Sequence, residues 1–120
     1  MTDTTRRTFY PIVPYSDAAK AMEWLERAFG FEIHAVHKDD GGDIVHAELR
    51  YDTGIFMIGK PGQPRAELYV ALDDPDAHHD RAKAAGAEII SELEDKDYGS
   101  RDYAAKDLDG NIWYFGTYRP

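Results

Sequence analysis

Apolar residues recur at two different spacings along this chain. Ala18, Ala21, Met22, Leu25, Ala28 and Phe29 return every three or four positions, which lays one apolar face along a helix. Ser16 or Asp17 can cap its start, and Gly30 can end it in a left-handed turn. Around this helix β-prone runs predict strands. The first, over 8–15, contains Pro11 and Pro14, which cannot donate to a ladder, so it reads as an edge strand or one with an irregular end. Strands are also predicted over 31–36, 43–51 and 55–59, joined by a glycine-paired turn over 38–43 and by Asp52-Thr53-Gly54.

After a breaker segment over 60–65, rich in Pro and Gly, the pattern repeats. A strand is predicted over 66–72. Asp74 then caps a short helix with Pro75 at its first position, where a missing N–H costs nothing, and Gly86 ends it. Strands follow over 87–93, 100–106 and 111–118. Gly30 and Gly86 stand 56 positions apart, as do Gly54 and Gly110 and the Glu-Ile pairs at 32–33 and 88–89. The expectation is one domain over 1–120 built from two βαβββ modules, about 8–59 and 66–118. Neither module is large enough to bury its own face, so the two must pair, within one chain or between two.

The turn Asp107-Leu108-Asp109-Gly110-Asn111 is the densest local signal. Its aspartates can bond nearby backbone N–H groups, and Gly110 and Asn111 tolerate positive φ. The aromatic run after it predicts a buried C-terminal strand.

Composition then narrows the function. A chain of 120 residues carries one core, and its net charge of −9 repels phosphate backbones, so nucleic acid is not an expected partner. No apolar run approaches the roughly 18 residues of a membrane span. Residues 1–7 lack an apolar signal core and read as a short disordered lead. The chain has no cysteine, which excludes disulfides and thiolate ligands and fits a cytoplasmic protein.

Three stretches carry a family resemblance. They are Asp17 through Trp24-Leu25 to Ala28-Phe29-Gly30-Phe31-Glu32, then Arg81-Ala82 to Ala85-Gly86-Ala87-Glu88-Ile89, then Tyr98-Gly99-Ser100-Arg101-Asp102-Tyr103 with Asp107 to Trp113. Together they resemble the vicinal oxygen chelate superfamily: glyoxalase I, extradiol dioxygenases, and the bleomycin- and fosfomycin-resistance proteins. The last stretch is most similar to the bleomycin-resistance branch. The resemblance implies an α+β fold of two tandem βαβββ modules with a curved, cleft-bearing mixed sheet, and a homodimer.

Metal-using members of that superfamily take four His or Glu ligands from the first and fourth strands of each module. Carried over residue by residue, those positions fall on Tyr10, Met57, Glu67 and Tyr114. Only Glu67 is an ordinary ligand for a divalent ion, so no metal and no cofactor is expected. Strand alternation adds Tyr69, Asp102, His46 and Glu48 to the same concave face. The expected ligand site is therefore Tyr10, His46, Glu48, Met57, Glu67, Tyr69, Asp102 and Tyr114. Phenol rings and carboxylates suit a flat or cationic small molecule.

The resulting expectation is a metal-independent small-molecule-binding protein that sequesters a cationic or aromatic compound such as an antibiotic. The alternative is a lyase, isomerase or dioxygenase-type enzyme, metal-dependent or using His46 and Glu48 as acid and base. A third alternative is an assembly module with an empty cleft. The remaining titratable groups have plainer readings. His78 and His79 are expected on a solvated helix face, and His34 and His37 on opposite faces of one strand. Trp24, Trp113 and Phe115 are expected in the core, and Arg101 in a structural ion pair.

Overall fold

The computed structural model describes residues 7–120. The lead expected to be disordered falls largely on residues 1–6, outside the described residues. The first module contains β1 (Ile12–Pro14), α1 (Ala18–Phe29), β2 (Glu32–Lys38), β3 (Ile44–Tyr51) and β4 (Gly54–Gly59). The second contains β5 (Glu67–Ala71), α2 (Pro75–Ala84), β6 (Glu88–Asp95), β7 (Arg101–Lys106) and β8 (Ile112–Gly116). Each module forms one four-stranded mixed sheet. The orders are β1-β4-β3-β2 and β5-β8-β7-β6, so the halves share one topology. In both, the first strand runs parallel to the last.

Local chemistry explains the helix boundaries. The Asp17 carboxylate accepts from Lys20 N at 3.1 Å, and Gly30 closes α1 at φ 75°. Asp74 does the same for α2 through Ala77 N at 3.0 Å, with Pro75 leading the helix. The two β-turns differ, although their glycines match in position. Tyr51 pairs with Gly54 across a two-residue turn in which Asp52 takes the left-handed conformation, at φ 53°. The later turn is longer, and there Gly110 takes it, at φ 84°.

The two sheets meet through the faces that carry their helices. Phe56 on β4 lies 5.2 Å from Trp113 on β8, ring centre to ring centre. Phe31 reaches Trp113 at 5.1 Å, and Phe29 reaches Phe115 at 5.0 Å. Trp113 and Phe115 are buried, as expected, and Trp24 packs its edge on Phe29. This shared aromatic core stabilises neither module alone, which ties the halves together.

Two expectations for histidine are corrected here. His78 and His79 are both buried, not solvated. The ten-residue helix α2 packs against α1 on one side and β6 and β7 on the other, so its covered arc spans neighbouring positions. His78 Nε2 donates to the Phe29 carbonyl at 2.8 Å, and its Nδ1 accepts from the Tyr103 hydroxyl at 2.6 Å. His79 bonds Glu92 at 2.9 Å and stands edge-on to Tyr103. His34 and His37, in turn, are not separated by the sheet. Register slips between Ile33 and Ala35, and the extra residue resets the alternation. His34 then lies 3.9 Å from Glu48, while His37 lies against His46 with ring centres 5.5 Å apart.

Candidate functional site

With Phe56, Leu49, Ala47 and Val13 in the core, their sequence neighbours on the first sheet point outward. Met57 pairs with both Glu48 and Ile12 across the ladder, and His46 pairs with His37. His46 Nε2 and Glu48 Oε2 are 2.7 Å apart, both partly exposed. This outer face therefore joins Met57, Glu48 and His46 with Ile12, which is 62% exposed although large and apolar. Tyr10 stops short of β1. The strand begins at Ile12, and the Tyr10 hydroxyl donates to the Arg7 carbonyl at 3.4 Å.

The second sheet has an outer face of its own. Trp113, Phe115, Tyr103 and Ala105 fill the core, which leaves Glu67, Tyr69, Tyr114 and Asp102 pointing away from it. Tyr69 pairs with Tyr114 across β5 and β8, and Asp102 pairs with Gly116 across β7 and β8. The Tyr114 hydroxyl donates to Glu67 Oε1 at 2.9 Å. That bond, more than desolvation, pushes the Tyr114 phenol above its ordinary value. Both phenols remain 40% exposed.

One chain thus gathers seven of the eight expected residues into two groups rather than one cavity, and Tyr10 precedes β1 and belongs to neither. The sheets stack by their inner faces, so the groups point in opposite directions. A cavity of about 330 Å³ does open between the modules, over Phe31, Phe56 and Trp113 with Arg119 at its rim. Of the eight, only Tyr69 lines it.

Sequence reasoning missed a cluster at the end of the second outer face. Tyr98 OH donates to Asp102 Oδ2 at 3.2 Å, and Ser100 donates to Oδ1. Tyr118 stands perpendicular to Tyr98 with ring centres 5.8 Å apart. Gly99, at φ 90°, is the turn that carries Tyr98 back over its own strand. The Tyr-Gly-Ser signal was visible in the sequence; its target was not. Arg101, the intervening residue, points to the other face and pairs with Asp76 at 2.7 Å and Asp95 at 3.2 Å.

The two halves also meet in a buried polar knot. Asp107 is 6% exposed and accepts from Tyr15 OH at 2.6 Å, Trp113 Nε1 at 2.9 Å and Asn111 N at 3.0 Å. Asn111 accepts from Ala66 N and donates to the Pro14 carbonyl. Asp109 accepts from Ser16 N. The turn after β7 therefore holds the entry to α1 as well as its own hairpin.

These features match known proteins across nearly the whole chain. The family model of the Glyoxalase/Bleomycin resistance protein/Dioxygenase superfamily matches residues 9–115. The chain belongs to that superfamily. An uncharacterized protein of Mycobacterium bovis is 30% identical over 122 residues, covering 88% of this chain and 80% of its own. The crystal structure of TioX from Micromonospora sp. ML1 superposes with a TM-score of 0.79 at 33% identity, covering 91% of this chain and 98% of TioX. A glyoxalase-related enzyme from Clostridium phytofermentans shares the fold, with a TM-score of 0.75 at 21% identity, over 93% of this chain and 95% of that one.

Proposed function

We propose that the protein binds a flat, cationic small molecule without a metal ion, in the manner of the bleomycin-resistance branch. The observation that carries this reading is the second outer face, where the exposed phenols Tyr69 and Tyr114 stand beside the carboxylates of Glu67 and Asp102. Ring faces attract cations, and carboxylates accept charge-assisted hydrogen bonds.

The metal positions of the superfamily do not fit a divalent ion here. They offer a thioether, phenols and Glu67, whose Oε1 already accepts from Tyr114. Among the described residues no group of three or more His, Asp or Glu side chains is arranged to hold a metal ion. The family model that matches residues 9–115 includes the bleomycin resistance protein in its description, which supports the resistance-type reading.

The ligand cleft closes when two protomers pair. The outer face of one protomer's first sheet, with Ile12, Met57, His46 and Glu48, then covers the outer face of its partner's second sheet. Exposed Ile12, Tyr69 and Tyr114 support this, because burying them stabilises a dimer. Among the described residues no helix is long and apolar enough to cross a membrane. We place the protein in the cytoplasm on its lack of cysteine.

A thermal-shift titration tests the reading. Ethidium, a planar aromatic cation, should raise the melting temperature by several degrees at 100 times its Kd, while zinc, nickel and manganese leave it unchanged. A shift with a metal alone would overturn it. The 2.7 Å contact of His46 with Glu48 supports the second reading, an acid/base enzyme. Consumption of a glyoxalase- or dioxygenase-type substrate, lost in His46→Gln, would favour that reading instead.

A further inference from the structure

Three phenols surround one carboxylate at the open end of the second sheet. Tyr98 and Tyr118 form a corner, with their rings 5.8 Å apart at 89°. The hydroxyl of Tyr69 donates to the Tyr118 carbonyl at 2.7 Å. Tyr118 N donates to Ser100 Oγ at 3.1 Å, and Ser100 donates to Asp102. Ser100 is buried, so β5, β7 and the tail after β8 are locked around Asp102 before any ligand arrives.

Gly116 makes this convergence possible. A Cβ at that position would lie 2.7 Å from Asp102 Cγ and 2.8 Å from the Tyr69 hydroxyl. No larger residue leaves both side chains in place. The nearby cations are already matched. Arg101 faces the other side, and Arg119 pairs with Asp73 at 3.2 Å. Asp102 has no ion-pair partner within 4 Å among the described residues, so its charge is countered only by hydroxyl dipoles.

We propose that Tyr69, Tyr98, Tyr118 and Asp102 form a subsite for an alkylated ammonium group, such as a trimethylammonium head. The preference for an alkylated head over a primary amine follows from the exposed rings of Tyr69, Tyr98 and Tyr118, which offer apolar surface to methyl groups. Each Asp102 oxygen already accepts from one hydroxyl, so an occupant can bring charge without bringing donors. A methylated cation does so, and its methyl groups pack on ring faces. Desolvation first, and the Asp102 charge second, push the Tyr98 phenol up, so its ring meets the ligand neutral at pH 7. The subsite rests on the reading of the second outer face as the ligand face. It does not rest on the pairing of protomers, because one chain supplies every residue.

Calorimetric titration of the full chain with choline and with 3,3-dimethylbutanol, its neutral isostere, tests the proposal. Choline should bind about tenfold more tightly than the isostere. Asp102→Asn and Tyr98→Leu should each remove most of that preference while leaving the denaturation midpoint near that of the parent. Equal affinity for the two ligands, or choline affinity unchanged in both variants, would overturn it, as would an absence of choline binding. Ethidium titration of Glu67→Gln separates the two readings. Choline binding without ethidium binding supports the subsite and removes the planar-cation function. Ethidium binding that needs Glu67 but ignores Asp102 does the reverse.

Discussion

The hydroxyl of Tyr15 donates to the carboxylate of Asp107 at 2.6 Å across 92 positions of chain. One residue follows β1 of the first module; the other closes β7 of the second. The bond is buried at both ends, and burial is the largest cause that raises the Tyr15 phenol well above its ordinary value, ahead of the Asp107 charge. It is one of the hydrogen bonds that join the modules, with those of Asn111 to Pro14 and of Ser16 to Asp109.

Tyr15→Phe should lower stability by about 1–3 kcal/mol, because a buried carboxylate loses one donor. Asp107→Ala should cost more, since it strands Tyr15, Trp113 and Asn111 together. Urea denaturation followed by tryptophan fluorescence reads both. Equal midpoints for Asp107→Ala and the parent would show that the knot does not join the halves.

The buried imidazole of His78 makes stability depend on pH. Burial, the largest cause, pulls its pKa from 6.5 to about 4, against the Phe29 carbonyl bond and with help from Arg81. Between those values the unfolded chain binds a proton that the folded chain does not. Stability therefore rises with pH through this window, and is fully present above about 6.5. Acidification from pH 6.5 to 4 should remove roughly 3 kcal/mol through this group. His78→Gln should flatten that slope in chemical denaturation at each pH, even if the variant is less stable overall.

Gly116→Ala should destabilise the fold by about 1–3 kcal/mol through overpacking against Asp102 and Tyr69. The backbone there is not left-handed, so the cost is steric alone. Asp102→Gly in the same background should recover part of it in a thermal melt. No recovery would place the clash elsewhere.

Ile12→Glu should separate the proposed dimer without unfolding the monomer, because the side chain is 62% exposed. Sedimentation velocity should report a two-chain species for the parent and a single chain for the variant, with unchanged far-UV dichroism. A parent that sediments as a single chain would remove the paired cleft.

Much of the fold was legible because its causes are local. The caps at Asp17 and Asp74, the left-handed Gly30 and the aromatic alternation of β8 each depend on a few neighbouring residues. The shared faces of Glu67 with Tyr69, and of His46 with Glu48, followed from the two-residue period. Where the ladder slipped, the same rule failed, and His34 and His37 came to one side. His78 and His79 were misread because exposure on a helix depends on what packs around it. Tyr98 and Tyr118 lay 20 positions apart in sequence, with nothing local to point one toward the other.

The amino-acid order by itself determined two βαβββ repeats, their turns, and which side chains alternate on each strand, since short-range sterics and hydrogen bonding set those. Only the tertiary structure decided that the helix-bearing faces stack, that Asp107 bridges the modules, and that the expected ligand residues look outward in two directions. Those outcomes depend on which apolar surfaces exclude water from one another across the whole chain, and no window of neighbouring residues contains that information.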